Sequence, residues 1–187
     1  MKKYDFRFDT ILIKSFIGKK LIKYKHADFI YTNSVTGALG LEIDGLVYEL
    51  VNDYENLDFF NLDREATVFR INETEWNKVE PLINNDINET CLNEKIHGVK
   101  LINDHTILKI EDNIEYDMWD TKGIIFCFKN HEICFEKQDC WFSQEIEIYK
   151  GHNLLEKIGD GKGILEDFDT DATKEISVER IVVEIEK

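Results

Sequence analysis

Leu41-Glu42-Ile43-Asp44-Gly45-Leu46-Val47-Tyr48-Glu49-Leu50 is the stretch whose reading decides the fold. An Asp-Gly pair supplies the positive φ angles that a two-residue hairpin turn demands, and the flanking residues follow the period of two of a half-buried strand. Leu41, Ile43, Leu46, Tyr48 and Leu50 then share one face. A β-hairpin of this kind points to an antiparallel, mainly β fold.

Working outward, Tyr4, Phe6 and Phe8 alternate with polar residues as a strand does, and Asp9 is placed to cap a short helix through Ile13 and Phe16 that Gly18 stops. Residues 20–31 read as a strand broken near Asn33 and Thr36-Gly37. After the hairpin, 53–63 reads as a polar loop and 67–71 as a strand. Asn72 followed by Glu75 resembles a capping box, opening a short helix that turns Trp76 and Val79 inward before Pro81 ends it. Residues 84–93 are polar and carry no clear period. Strands are predicted over 97–102, 106–110, 114–119 and 124–128, with Asn130-His131 as a turn and 133–136 returning. Residues 145–149 alternate again, and a short helix with Leu155 and Ile158 stops at Gly159. In the last strand, Ile176 and Val178 take one face but Ile181, Val183 and Ile185 the other, so a bulge is predicted at Glu179-Arg180. The fold class expected is mainly β (α+β): antiparallel sheets built from hairpins, with two or three short helices.

The chain is expected to form a single domain over 1–187, long enough to bury roughly 70% of its unfolded surface. Its halves echo each other. Gly18-Lys19-Lys20-Leu21-Ile22 matches Gly98-Val99-Lys100-Leu101-Ile102, and the 41–50 hairpin matches 126–135. The strand with Phe69 and Ile71, followed by Trp76 and Val79, matches the strand with Ile146 and Ile148, followed by Leu155 and Ile158. An internal repeat over 9–83 and 89–159, with the C-terminal strand 176–186 outside it, implies two similar β-rich halves about a pseudo-two-fold axis. Their seam is a natural place for a ligand. Chance likeness among short β-rich segments is the competing account.

The candidate chemical motifs fail on spacing. Cys127, His131, Cys134 and Cys140 are zinc-type ligands, yet no Cys-x2-Cys knuckle is present. Asn130-His131 as the turn would set Cys127 against Cys134 as a cross-strand pair, with His131 at the tip. Glu166, Asp167, Asp169 and Asp171 open like a calcium loop, but Ala172 stands where the sharp turn needs glycine and Val178 where the bidentate glutamate belongs. Gly159-Asp160-Gly161-Lys162-Gly163 lacks the spacer and hydroxyl of a phosphate loop. Cys140 beside Trp141, with His152 or His105 as base, is an unordered candidate for nucleophilic catalysis. No catalytic residue, metal ligand or cofactor is assigned, and the chain is read as a non-enzyme, although a carboxylate pair at catalytic separation is invisible to sequence.

Charge carries the functional expectation. Against 23 basic side chains stand 38 acidic ones, a formal charge of −15 distributed along the chain. Such a surface repels nucleic acid and anionic membrane and attracts basic partners at long range. The opening Met1-Lys2-Lys3-Tyr4-Asp5 lacks the apolar run of a secretory signal, so the cytoplasm, with reduced cysteines, is the expected compartment. Between Asp104 and Asp120 carboxylates alternate with apolar residues. Glu111, Asp112, Glu115, Tyr116, Asp117, Trp119 and Asp120 are the expected partner-binding residues, the carboxylates pairing with Lys and Arg around two aromatic anchors. The sequence therefore predicts an acidic bacterial binding protein, an immunity or antitoxin-type inhibitor that occludes a basic toxin or nuclease domain. The alternative is a small-ligand-binding module or enzyme at the seam. Oligomeric state is not readable.

Overall fold

The computed structural model describes residues 1–27, 34–59, 62–80, 86–161 and 174–186. Its strands are β1 (Lys2–Phe6), β2 (Lys20–Ala27), β3 (Ser34–Thr36), β4 (Leu39–Ile43), β5 (Leu46–Phe59), β6 (Leu62–Thr74), β7 (Ile87–Lys95), β8 (Gly98–Ile110), β9 (Asn113–Cys127), β10 (Glu132–Lys137), β11 (Glu145–Gly151) and β12 (Lys174–Ile185). One helix, α1 (Thr10–Lys14), and two 3₁₀ turns, Trp76–Lys78 and Leu154–Lys157, complete the described elements. The chain is mainly β with antiparallel sheets.

The hairpin at Asp44-Gly45 forms as its sequence demands. Both turn residues have positive φ, 48° and 83°, and Leu41 opposes Tyr48 while Ile43 opposes Leu46. Leu41, Ile43, Tyr48 and Leu50 are buried, whereas Leu46, at the tip, stays exposed. The Asp44 carboxylate also accepts the backbone N–H of Lys20 at 3.0 Å, tying the turn to the start of β2.

Two sheets result, with strand orders β7-β2-β4-β5-β6 and β12-β8-β9-β10-β11-β3, and β1 added parallel to β9. Each contains a four-strand antiparallel meander whose next strand returns to pair antiparallel with the first: β7 with β2, and β12 with β8. In each, a 3₁₀ turn follows the fourth strand. β12 thus occupies in the second sheet the place that β7 has in the first.

The inner faces pack together. Tyr24 of β2 meets Phe135 of β10 edge-on at 5.7 Å, and Phe16, just beyond α1, contacts both Tyr48 and Phe126. Leu21, Leu39, Leu41, Ile43 and Leu50 face Val99, Leu101, Ile124, Phe126, Ile133 and Ile146 in one apolar core. Each large side chain removed from water there contributes about 1.5–3 kcal/mol. Asp9 caps α1 through the backbone N–H of Ile11, as expected.

Several expectations need correction. Instead of two or three short helices there is one among the described residues, because the segments holding Trp76 and Leu155 are single 3₁₀ turns. Each folds back over the outer face of its own sheet: Trp76 lies across the Lys23 and Lys25 ammonium groups, and Leu154 packs on Ile102, Ile125 and Cys134. Asn72 caps nothing, since β6 runs on through Thr74. The expected loop over 53–63 is mostly strand, with β5 and β6 pairing from Val47↔Thr74 out to Phe59↔Leu62. Backbone pairing needs no apolar period, so the interspersed polar residues of 53–58 disguised it. The same holds for β7, an edge strand with mostly exposed side chains.

The predicted bulge is absent from β12, whose register with β8 is unbroken. It lies in β9 instead: the β8–β9 register shifts at Ile102/Asn103, leaving Lys122 unopposed, and again at Leu108/Lys109. That phase change made one strand read as two. β12 changes its apolar side because the sheet is covered on both faces at different points along its length. Finally, the β9–β10 turn centres on Lys129-Asn130, with Phe128 N–H donating to His131 O at 2.9 Å. Cys127 therefore opposes Glu132, and Cys134 opposes Ile125, so the expected Cys127–Cys134 opposition does not occur.

Candidate functional site

The seven expected docking residues are divided by the pleat of β9. Glu111 and Asp112 form the exposed two-residue turn before it, both with positive φ. Tyr116 and Asp120 point to one side and are buried, so neither contributes to an outer surface. Asp117 and Trp119 point to the other and are half-buried, and Glu115 lies at the second register break.

On that second side the register aligns Glu179, His105, Trp119 and Asp5 across β12, β8, β9 and β1, with Ser177, Ile107, Asp117 and Lys3 in the next row. The Trp119 ring is clamped between the His105 imidazole, stacked at 4.1 Å, and the Arg7 guanidinium at 4.6 Å. His105 Nε2 donates to Asp117 at 2.8 Å, and Lys3 lies 3.3 Å from the same carboxylate. The His105 hydrogen bond is the main reason the Asp117 carboxyl is held below its ordinary range. Arg7 pairs with Asp5. Trp119 is thus a rigid aromatic platform, with the exposed carboxylates of Glu111, Asp112, Glu175 and Glu179 on the surrounding strands and turn.

The opposite side of the same sheet holds a buried charge network. Asp104, fully buried, receives a fork from Arg180, with Nε and Nη2 each 2.7 Å from a carboxylate oxygen. Arg180 also donates to Gly159 O and lies 3.5 Å from Asp139, which Lys122 approaches at 2.7 Å. Lys137 donates to Thr67 O at 2.6 Å and lies 3.8 Å from Asp120 and 5.0 Å from the Trp141 ring. Burial pushes the Asp120 carboxyl up and the Lys137 ammonium down to about 8, each resisted by the other's charge. Gly161, at φ +80°, crosses so close above this network that a Cβ there would sit 3.1 Å from Arg180 Nη2 and 3.3 Å from an Asp104 oxygen. The unopposed position of Lys122 marks where β9 crosses this ionic site.

Beside the network opens a cleft of about 410 Å³ lined by Glu136, Asp139, Cys140, Glu147, Tyr149 and Lys157 among others. Glu136 and Glu147 oppose each other directly on β10 and β11. Burial pushes the Glu136 carboxyl up to about 7. Tyr149 donates its hydroxyl to Glu147, and burial together with that carboxylate raises the phenol well above its usual range. None of these residues was singled out from sequence except Cys140. The available signal was charge inside apolar strands: Lys122 before Gly123-Ile124-Ile125-Phe126, Glu136-Lys137 after Ile133-Cys134-Phe135, and Arg180 where the last strand changes phase.

The other sequence candidates are dispersed. Cys140 lines this cleft, His152 and His131 line another beside Cys127, and His105 lies on the far side of the sheet. Cys134 is buried, and burial raises both its thiol and that of Cys127, the latter to about 11. Among the described residues no group of three His, Cys, Asp or Glu side chains is placed to hold a metal ion. Glu166, Asp167, Asp169, Asp171, Ala172, Lys162 and Gly163 lie outside the described residues, and Val178 belongs to β12. No described helix is long and apolar enough to cross a membrane.

Comparison with known proteins gives no relative: no family model matches the chain, and neither a curated protein nor a solved structure matches it.

Proposed function

We propose that this chain is an acidic cytoplasmic binding protein, an immunity or antitoxin-type inhibitor, that docks a basic toxin or nuclease on the β12-β8-β9-β1 face around Trp119. The carrying observation is the immobilised Trp119 ring, clamped by His105 and Arg7. A preset aromatic loses little freedom when a partner covers it, and aromatic anchors supply most interface energy. Lys25, Lys122 and Lys137 are buried and Arg180 nearly so, against buried Asp104, Asp120 and Glu136, which leaves the outer surface no less negative than the whole chain. Rim carboxylates such as Glu111, Asp112 and Glu179 would then act mainly on the rate of encounter. The rival reading, a ligand site at the seam between the halves, is disfavoured at its centre, where Tyr24, Phe126 and Phe135 fill the space; a cleft of about 420 Å³ lies at its edge between β1 and β6.

The test is binding to basic proteins encoded beside this gene. Association is expected to slow steeply from low to high salt, with Trp119→Ala speeding dissociation. Failure to bind any basic neighbour, or binding indifferent to both salt and Trp119→Ala, refutes the proposal.

A further inference from the structure

We propose that the cleft on the opposite side of the sheet is a binding site for a guanidinium group, held between the carboxylates of Glu136 and Glu147. It stands apart from the docking face and does not depend on it.

Glu136 and Glu147 are register partners on one face of the β10–β11 pair, where opposed side chains come within about 5 Å at Cβ and like charges are destabilising. The cations nearby pair with other carboxylates, Lys122 with Asp139 and Arg180 with Asp104 and Asp139, and favour ionised Glu136 through their charge without pairing with it. Lys157, exposed at the rim, is the remaining described cation lining the cleft. Glu136 is only 6% exposed, yet among the described residues its carboxylate has no hydrogen-bond or ion-pair partner, and it lines the open space. A largely buried carboxylate that opens into the cleft beside a second one is a costly arrangement that a planar cation relieves. Guanidinium fits best because its fixed fork of five donors spans two carboxylates, whereas no three-ligand set for a metal is present among the described residues. A cleft of about 410 Å³ suits one side chain or a compact ligand.

Binding requires ionised Glu136. Lys122, Arg180, Asp139 and Glu147 face that carboxyl; burial, reinforced by the two carboxylates, outweighs the two cations and brings it to about 7. Affinity should therefore rise about tenfold from pH 6 to pH 8, as the ionised fraction grows from roughly one-tenth to nine-tenths.

The experiment titrates the whole chain with N-acetyl-argininamide by calorimetry and by NMR, using the uncharged citrulline analogue as control. Saturable arginine binding is expected, at least tenfold weaker in Glu136→Gln and in Glu147→Gln, with the pH dependence lost in Glu136→Gln. Both variants keep side-chain volume and remove one of two repelling charges, so their melting temperatures should equal or exceed that of the unsubstituted protein. An unstructured arginine peptide separates the sources: tighter binding than the free probe assigns a protein side chain, and weaker binding a small ligand. Absence of saturable binding, equal binding of the citrulline analogue, or undiminished binding by both variants overturns the proposal.

Discussion

Replacing Arg180 with methionine should destabilise the protein far more than any surface charge removal, and the geometry sets the size of the effect. Arg180 is 9% exposed in its side chain, and it forks onto an Asp104 carboxylate with no exposure at all. Exposed ion pairs are worth at most about 1 kcal/mol, but removing one partner of a buried pair strands the other, which costs about 3–5 kcal/mol. In a chain of 187 residues, each kcal/mol lowers the melting temperature by about 2–4 °C, so Arg180→Met should melt about 6–20 °C lower. Asp104→Leu leaves the guanidinium Gly159 O and Asp139 as partners, so it should cost less than Arg180→Met but still more than about 1 kcal/mol. The double variant Asp104→Leu/Arg180→Met leaves no stranded charge, because Asp139 keeps Lys122 at 2.7 Å. Its loss should be at least about 2 kcal/mol smaller than the sum of the two single losses. Urea titrations of the four proteins, followed by circular dichroism, measure this cycle. A cost below about 1 kcal/mol for either single variant, or strictly additive costs, would refute the view that the pair is a desolvated ionic unit.

Gly45→Ala forces a Cβ onto a residue at φ +83° and should cost about 1–2 kcal/mol in the same urea assay, with an unchanged m-value; a neutral result would mean the turn is not held in this geometry. The Glu136 carboxyl, at about 7 when folded and near 4.5 when unfolded, binds its proton more tightly in the folded state. Its contribution to stability is thus full below pH 4.5 and disappears as pH rises to about 7, and Glu136→Gln should remove that downward slope in melting-temperature profiles. Lys137, at about 8 when folded against 10.5, works oppositely, so stability relative to Lys137→Met should climb between those values. With a thiol reagent, exposed Cys91 should react first and buried Cys134 only at the rate of unfolding; early labelling of Cys134 would contradict its burial.

Local chemistry was legible wherever the deciding forces act between near neighbours. Asp44-Gly45 announced its turn, Asp9 its cap, and the alternation around Leu41, Phe126 and Ile146 its strands, because φ preference, a two-residue hydrogen bond and the pleat are all short-range. β2 and β8, which carry Leu21 and Leu101, each open a four-strand antiparallel meander, in a five-stranded sheet and a seven-stranded sheet respectively. Less legible was β7, whose mostly exposed side chains obey solvent while its backbone obeys a partner strand. The extra residue at Lys122 was hidden for a related reason: its effect on side-chain phase is visible only once β8 lies alongside.

For the candidate sites the division is sharper. The amino-acid sequence by itself determined the mainly β class, the apolar residues that meet between the sheets and the large negative charge, since these follow from composition and period. Tertiary structure alone decided that Asp120 turns inward while Asp117 turns out, that Arg180 reaches Asp104 across β12 and β8, and that Glu136 confronts Glu147. Electrostatic meaning depends on distance and on exclusion of water, and both are set by strands far apart in the chain.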